Sequence, residues 1–228
     1  MDRSGQFCTK PGIAFVPDGA DGDAIVARIA ERATDAAASV LLNERIASSF
    51  DEIRDRLIAT GTVAVRARGT DGVDGFTAAP TVLETTAASV TADVAEEAFG
   101  PLIVVARYGD DAQIVDALDA VPDSLTATVH SEPSEADSVA GLVRELAPRV
   151  GRIVFDGYPT GVRVSWAQHH GGPWPATNSQ HTSVGVSAIR RFLRPLAYQD
   201  APEVQLPSEL RDGYTGIPRR VDGRLVLG

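Results

Sequence analysis

The chain has 228 residues, of which 43% are hydrophobic and 23% charged, and this length and composition are those of a globular protein with one large core or two small ones. Its net charge of −10 argues against nucleic acid and anionic membranes as partners, and its single cysteine excludes an internal disulfide. Because no apolar run reaches the roughly 18 residues of a membrane span, we expect a cytoplasmic protein.

The first half of the chain predicts two amphipathic helices. Apolar residues recur three or four positions apart over residues 23–40, in an alanine-rich segment. The same spacing returns over residues 46–57 and stops before Gly61, a residue typical of helix ends. We therefore predict one helix over each segment.

Short extended segments follow the second helix. Residues 63–67 predict a strand, and the glycine and aspartate residues of the segment 69–75 predict a turn or hairpin. Residues 76–85 are extended by composition but contain Pro80, which cannot donate a hydrogen bond within a sheet. This segment is therefore predicted to lie at a sheet edge or to contain a bulge.

Strand and helix patterns alternate in the middle of the chain. In order, the sequence predicts a strand over 102–106, a helix around Ile114, Val115 and Leu118, a strand over 125–130, a helix over 134–147 and a strand over 152–155. Such alternation is typical of βαβ units with right-handed crossovers. We therefore predict an α/β fold, with a mostly parallel, Rossmann-like sheet covered by helices.

The chain becomes rich in glycine, proline and histidine after residue 155. Loops of this kind lie on the surface beyond the sheet strands and often line a cleft. The last segment, residues 195–228, is predicted to form a loop-rich extension that packs on the surface or on a partner subunit.

The only cysteine, Cys8, lies in the segment Gly-Gln-Phe-Cys-Thr-Lys-Pro-Gly. A lone cysteine is most often a small buried hydrophobic residue or a tolerated thiol. However, Gly5, Pro11 and Gly12 favour turns that could present Cys8 beside exposed backbone N–H groups, which can bind an oxyanion. Both interpretations remain open on these residues alone.

Other polar clusters carry weaker signals. The arginines at 190, 191 and 194 are typical of a solvated face or an interface rim, and a phosphate site there is disfavoured. His169, His170 and His181 have no cysteine or carboxylate spacing that completes a metal site, so we expect none. A hydrolytic pair of Cys8 with His170 or His181 is conceivable but disfavoured. Trp174 is interpreted either as an anchor in a core or interface or as a wall of a substrate tunnel.

Two motifs together resemble the aldehyde dehydrogenase superfamily. Gly5-Gln6-Phe7-Cys8-Thr9 resembles its catalytic-cysteine motif, and the run Glu-Glu-Ala-Phe-Gly-Pro at 96–101 resembles its second signature. Further segments, at 157–162, 170–173, 181–185 and 190–192, resemble the branch that oxidises 2-ketoglutarate semialdehyde (2,5-dioxopentanoate). The resemblance covers nearly the whole chain but only the C-terminal half of a family member. It implies a catalytic domain over residues 1–194 and a C-terminal extension over 195–228, which is a candidate interface.

The resemblance also implies a role for each matched residue. Cys8 would be the thiolate that attacks the aldehyde, forming a thiohemiacetal and, after hydride transfer to NAD or NADP, a thioester that water hydrolyses. Glu97 would accept hydrogen bonds from a cofactor ribose, and Phe99 would flank the same nucleotide. His170 and Trp174 are the expected substrate-binding residues.

Several family features lie upstream of the cysteine motif, in sequence that these residues do not include. They are the general-base glutamate, the asparagine of the oxyanion hole and the glycine-rich dinucleotide motif. We therefore expect a truncated oxidoreductase that acts on a small-molecule aldehyde and is inactive without a cofactor domain. Its expected partner is either further copies of itself, in a homo-oligomer, or a separate chain that supplies the cofactor domain. The alternative is a catalytically silent interaction module. Asp156 also departs from the family, which commonly has asparagine there.

Overall fold

The computed structural model describes residues 2–228, with side chains from residue 4 onward. The chain divides into two compact units, of which the first ends at Arg191 and the second spans Phe192–Gly228. The catalytic region expected from the sequence, residues 1–194, ends slightly later and begins at Met1, which lies outside the described residues. No described helix is both long enough and apolar enough to cross a membrane.

The elements of the first unit follow the predicted order closely. Its described α-helices are α1 (Ala20–Thr34), α2 (Glu44–Ala59), α3 (Asp111–Leu118) and α4 (Ala136–Leu146). Its described strands are β1 (Ile13–Pro17), β2 (Ser39–Val40), β3 (Ala64–Arg68), β4 (Thr77–Ala78), β5 (Thr81–Thr86), β6 (Leu102–Tyr108), β7 (Ala127–Val129) and β8 (Ile153–Phe155).

Side-chain caps fix the starts of two helices. The Asn43 carboxamide oxygen accepts a hydrogen bond from the Ile46 N–H (3.0 Å) at the start of α2. The Asp110 carboxylate accepts one from the Gln113 N–H (3.1 Å) at the start of α3. These bonds satisfy N–H groups that the first helical turn leaves without partners.

The main sheet has four strands in the order β1-β6-β5-β3. β6 pairs in parallel with both β1 and β5, whereas β3 pairs antiparallel with β5 at an edge. In register, Ile13 faces Val104 and Thr81 faces Leu102. The fold is therefore α/β with a mixed, mostly parallel sheet, as the sequence predicts.

The strand β6 is buried on both faces, which explains its continuous apolar sequence. Leu102 and Val104 pack on one face with Phe50 of α2. Ile103 and Val105 pack on the other face in a cluster that includes Val26 of α1. The two helices thus cover opposite sides of the sheet.

The predicted strands over 125–130 and 152–155 do not join this sheet. They form β7 and β8, which pair in parallel with each other in a separate two-stranded sheet. Ile114 and Leu118 of α3, Val129 of β7 and Leu146 of α4 bury a common cluster there.

The second unit, Phe192–Gly228, contains a β-hairpin of β9 (Arg219–Val221) and β10 (Arg224–Val226). Asp222 and Gly223 join the strands, both with positive φ, at 46° and 77°. This is the conformation of a tight two-residue turn.

The first predicted helix is too long. The interpretation of 23–40 as one helix is wrong for its last residues, because α1 ends at Thr34 and Ser39–Val40 pairs with β4. A tertiary contact sets this end, since the Thr70 N–H donates to the Ala36 carbonyl oxygen (3.3 Å). Helical spacing alone carries no information about that partner.

The extended segment 76–85 contains two strands rather than one. Pro80 lies between β4 and β5 and ends the first of them. The prediction of an edge position is wrong for β5, which lies between β6 and β3, whereas β4 lies at the edge of a two-stranded sheet with β2. The irregularity in the pairing of β3 with β5 falls on β3, between Val65 and Ala67. The sheet tolerates Pro80 because it precedes β5 instead of lying within it. The sequence interpretation also missed β1.

Candidate functional site

Cys8 lies on a tight turn just before β1. The Lys10 N–H donates to the Phe7 carbonyl oxygen (2.9 Å), which closes the turn around Cys8. Cys8 is exposed and unbridged. The turn precedes Gly12, whose carbonyl oxygen accepts from the Val104 N–H (3.0 Å), so the central strand β6 fixes its position.

Side chains on both sides of Cys8 anchor this turn to other loops. The Gln6 side chain donates to the Val40 carbonyl oxygen (3.1 Å) and accepts from the Leu42 N–H (2.9 Å). Thr9, only 5% exposed, donates through Oγ1 to the Pro159 carbonyl oxygen (2.6 Å). Cys8 is thus presented to solvent from a backbone that is held on each side.

His170 is the side chain that contacts the cysteine. Its Nε2 lies 3.5 Å from Sγ of Cys8, which is within hydrogen-bonding distance for sulfur. The backbone of His170 is fixed in turn, because its N–H donates to Oγ1 of Thr182 (2.9 Å) and its carbonyl oxygen accepts from the Ser183 N–H (2.9 Å). Thr182 is itself buried.

The surroundings of His170 favour its neutral form. Burial lowers the pKa of its imidazole below the usual 6.5, and the positive charges of Arg152 and His169 lower it further. A neutral imidazole has one ring nitrogen free to accept a proton. His170 can therefore accept a hydrogen bond from the Cys8 thiol.

The loop that contains Glu97 and Phe99 packs against the cysteine turn. Gly5 has a φ of +69°, and a Cβ at this residue would overlap the Gly100 carbonyl oxygen. On its other side Gly100 touches the Phe50 ring, so a Cβ there would overlap the ring. Both glycines are required by close backbone approach, and the two sequence motifs meet at this contact.

A lysine joins the same two loops. The Lys10 ammonium donates to the carbonyl oxygens of Ala98 (3.1 Å) and Leu102 (3.2 Å). Burial lowers the pKa of Lys10, an effect that the nearby Glu97 carboxylate opposes. The sequence interpretation gave Lys10 no role, although it is the only lysine among 21 basic residues.

Among the five predicted site residues, all within the described part of the chain, one direct side-chain contact is found. Cys8 contacts His170, and the loop of Glu97 docks on the cysteine turn. Phe99, in that loop, is 37% exposed. Trp174 is 75% exposed, and no contact given for the described residues joins it to Cys8.

Asp156 contacts the end of a neighbouring loop. Asp156 has a φ of 48°, and its carboxylate accepts from the Ser131 N–H (3.0 Å) beside the ends of β7 and β8. An asparagine could accept the same bond. Among the described residues, no group of three or more histidine, cysteine, aspartate or glutamate side chains could hold a metal ion.

Comparison with known proteins identifies related sequences. The model of the aldehyde dehydrogenase family matches residues 1–173. The chain is 36% identical over 224 residues to alpha-ketoglutaric semialdehyde dehydrogenase 2 of Azospirillum brasilense, covering 96% of this chain and 43% of that protein. It is 35% identical over 227 residues to alpha-ketoglutaric semialdehyde dehydrogenase of Acinetobacter baylyi, covering 97% of this chain and 43% of that protein. The chain therefore spans less than half the length of these relatives.

A solved structure supports the fold. Lactaldehyde dehydrogenase from Escherichia coli superposes with a TM-score of 0.68 over 84% of this chain and 40% of that one, at 18% identity. This likeness concerns the fold alone. The family match and the two relatives show that the chain belongs to the aldehyde dehydrogenase family.

Proposed function

We propose that this chain supplies the catalytic half of an NAD(P)-dependent aldehyde dehydrogenase, with Cys8 as its nucleophile. The observation that carries the proposal is the docking of the cysteine turn on the Glu97 loop through Gly5 and Gly100. This contact sets an exposed thiol beside a loop whose acidic and aromatic side chains suit a nucleotide.

The first step uses Cys8 and His170. His170 accepts the thiol proton at Nε2, and the sulfur then adds to the aldehyde carbon to give a thiohemiacetal. We assign to the backbone N–H of Cys8 the hydrogen bond to the oxyanion that forms on the former carbonyl oxygen. Loss of hydride from that carbon leaves a thioester on Cys8, and water releases the acid.

Glu97 and Phe99 fit one end of a nicotinamide dinucleotide. Glu97 presents an exposed carboxylate, whose two oxygens can accept bonds from the two hydroxyls of a ribose. Phe99 lies two residues further along the same loop and is 37% exposed. When bound there, the dinucleotide would supply the hydride acceptor.

The proposed substrate is the semialdehyde of 2-ketoglutarate. Both semialdehyde dehydrogenases with 35–36% identity to this chain carry that substrate in their names. The charge of Arg152, which acts on His170 beside Cys8, also favours an anionic aldehyde. His170 and Trp174 are the proposed substrate-binding side chains. The proposal also includes assembly, either as a homo-oligomer or with a separate chain that carries the cofactor domain.

The test combines this chain with the dinucleotide-binding segment of the Azospirillum relative, by fusion or co-expression. We expect formation of reduced nicotinamide that depends on 2-ketoglutarate semialdehyde and disappears in the variant Cys8→Ser. The variant Asp212→Asn, in the second unit, is the control that retains oxidation. A folded assembly that binds the dinucleotide and oxidises the aldehyde equally well with Cys8→Ser would refute the role of Cys8.

The contact of Cys8 with His170 also suits a second activity, hydrolysis of an activated ester through an acyl-cysteine. In a hydrolytic triad a carboxylate orients the histidine. The charged neighbours that act on His170 are Arg152 and His169, both basic. The surroundings therefore support aldehyde oxidation better, and ester turnover by the chain without dinucleotide measures the alternative.

A further inference from the structure

Lys10 is unusual in the composition of this chain. It is the only lysine, while the other 20 basic residues, out of 21 in total, are arginines. It lies two positions after Cys8, in the turn that the Lys10 N–H closes on Phe7. The side chain is half-buried, an environment in which an ammonium group is costly unless it is hydrogen-bonded.

The partners of Lys10 are two backbone oxygens of the neighbouring loop. Its ammonium donates to the Ala98 carbonyl (3.1 Å) and to the Leu102 carbonyl (3.2 Å), and both of these residues are buried. The two carbonyls bracket the Phe99-Gly100-Pro101 segment. The Lys10 ammonium of the cysteine turn thus bonds both ends of the segment that contains Phe99, and Glu97 directly precedes this segment.

The chemistry of this position suits lysine better than arginine. An ammonium is a compact charge with three rotatable donors, whereas a guanidinium is a wide planar fork. The two carbonyl oxygens accept from a single nitrogen, so an ammonium suits them better than a guanidinium does. The Glu97 carboxylate, whose charge acts on Lys10, opposes the effect of burial on the Lys10 pKa.

We propose that Lys10 is a positioning residue that holds the Cys8 turn and the Glu97–Phe99 loop in one fixed relation. The importance of that relation for catalysis rests on the proposed function. The contact itself does not, so the measurements below use the full chain without aldehyde or dinucleotide, and a failure to oxidise aldehydes would leave them unaffected.

The test compares the variants Lys10→Met, which has similar length and no donor, and Lys10→Arg, which keeps a cationic donor. In Lys10→Met we expect hydrogen exchange of the segment 94–102 to rise about tenfold, since charge-assisted bonds of this kind are lost. We also expect the rate of Cys8 alkylation by iodoacetamide to change at least about threefold because the turn is no longer fixed. In Lys10→Arg both quantities should stay closer to those of the wild type.

The matched control is Arg107→Met. Arg107 also donates to a backbone carbonyl, that of Pro17 (2.9 Å), but it lies near the other end of β6. Arg107 follows Leu102 by five strand residues, which at about 3.3 Å per residue separates the two backbone positions by roughly 16 Å. We expect Arg107→Met to lower the melting temperature without changing exchange at 94–102 or alkylation of Cys8.

The proposal fails if Lys10→Met leaves both quantities as Arg107→Met does, or if Lys10→Arg changes them as much as Lys10→Met. A measurement on the wild type covers the case in which Lys10→Met does not fold. Because Lys10 is the only lysine, its acetylation by acetic anhydride is followed in the peptide that contains it by mass spectrometry, separately from acetylation of the terminal α-amino group. We expect the native chain to react at least about tenfold more slowly than the chain in urea, and equal rates would overturn the proposal.

Discussion

Cys8 and His170 are 162 positions apart in the sequence, yet Sγ of one lies 3.5 Å from Nε2 of the other. The contact depends on two separate anchors. Thr9 ties the cysteine turn to Pro159, and Thr182 ties the backbone of His170. A thiol and a neutral imidazole are therefore held together by backbone geometry in the chain as it stands.

Replacement of His170 should slow the alkylation of the Cys8 thiol. We expect His170→Phe to reduce the rate of Cys8 alkylation by iodoacetamide about tenfold at pH 7, because the thiol loses its proton acceptor. His181→Phe is the matched control. The His181 side chain is exposed, and the contact to Ser179 is made by the backbone N–H of His181, which the substitution keeps. An unchanged rate in His170→Phe, or an equal loss in His181→Phe, would contradict the role of His170.

The pH dependence follows from the lowered pKa of His170. Burial is the main cause, followed by Arg152 and His169, so the imidazole becomes charged only below the usual 6.5. Assistance to Cys8 is then present above that pH and lost as the pH falls through the lowered pKa. We expect Arg152→Gln to move the loss to higher pH, because one repulsive charge is removed.

The measurement is the titration of the His170 ring by NMR, with alkylation rates over the same pH range. The free energy of unfolding should change with pH in the same direction. Because the pKa of His170 is lower in the folded than in the unfolded chain, its contribution to stability is present above the unfolded pKa and declines as the pH falls. A His170 pKa at or above 6.5, or a pKa that Arg152→Gln lowers, would contradict this account.

The contact between the two motifs predicts a contrast between neighbouring glycines. Gly5→Ala places a Cβ against the Gly100 carbonyl oxygen at positive φ, so we expect a loss of about 2 kcal/mol in the free energy of unfolding. Around Gly12 nothing lies within 4 Å of an added Cβ. Gly12→Ala should therefore stay within about 0.5 kcal/mol of the wild type.

Urea denaturation of both variants measures this contrast. Gly100→Ala is a second probe of the same contact, because its Cβ would overlap the Phe50 ring. We expect it to cost about 1–3 kcal/mol by overpacking. Equal stability of Gly5→Ala and Gly12→Ala would show that the cysteine turn does not pack closely on the Glu97 loop.

The sequence predicts the fold well where packing is periodic. The apolar run of β6 and the spacing of α2 indicate their own burial, and both elements are found where expected. β1 has only five residues and ends at Pro17, so its identity as a strand depends on pairing with β6. The end of α1 likewise depends on a bond from Thr70. Neither partner is visible in local sequence.

The candidate site divides in the same way. The motifs around Cys8 and Glu97 predict which residues matter, whereas the contact with His170 emerges only from the folded loops. Lys10 had a signal in the sequence, as the sole lysine, but its two carbonyl partners are backbone atoms that no residue pattern encodes. Trp174 remains a prediction.

Dinucleotide binding gives the last prediction. In the proposed site Glu97 and Phe99 contact one ribose and its neighbour, and these 228 residues contain no Gly-x-Gly-x-x-Gly motif to hold the phosphates. We therefore expect the 228-residue chain, titrated by calorimetry with NAD or NADP, to bind more weakly than micromolar.

Addition of the dinucleotide-binding segment from a relative should restore tight binding, because the phosphates then gain backbone donors at a helix N-terminus. In that assembly Glu97→Gln should raise the KM for the dinucleotide about tenfold, as charge-assisted bonds to the ribose hydroxyls become neutral ones. Glu96→Gln is the matched control, since Glu96 pairs with Arg56 on the surface. Micromolar binding by the chain alone would contradict the assignment of the phosphates to residues outside it, and equal effects of the two variants would remove Glu97 from the nucleotide site.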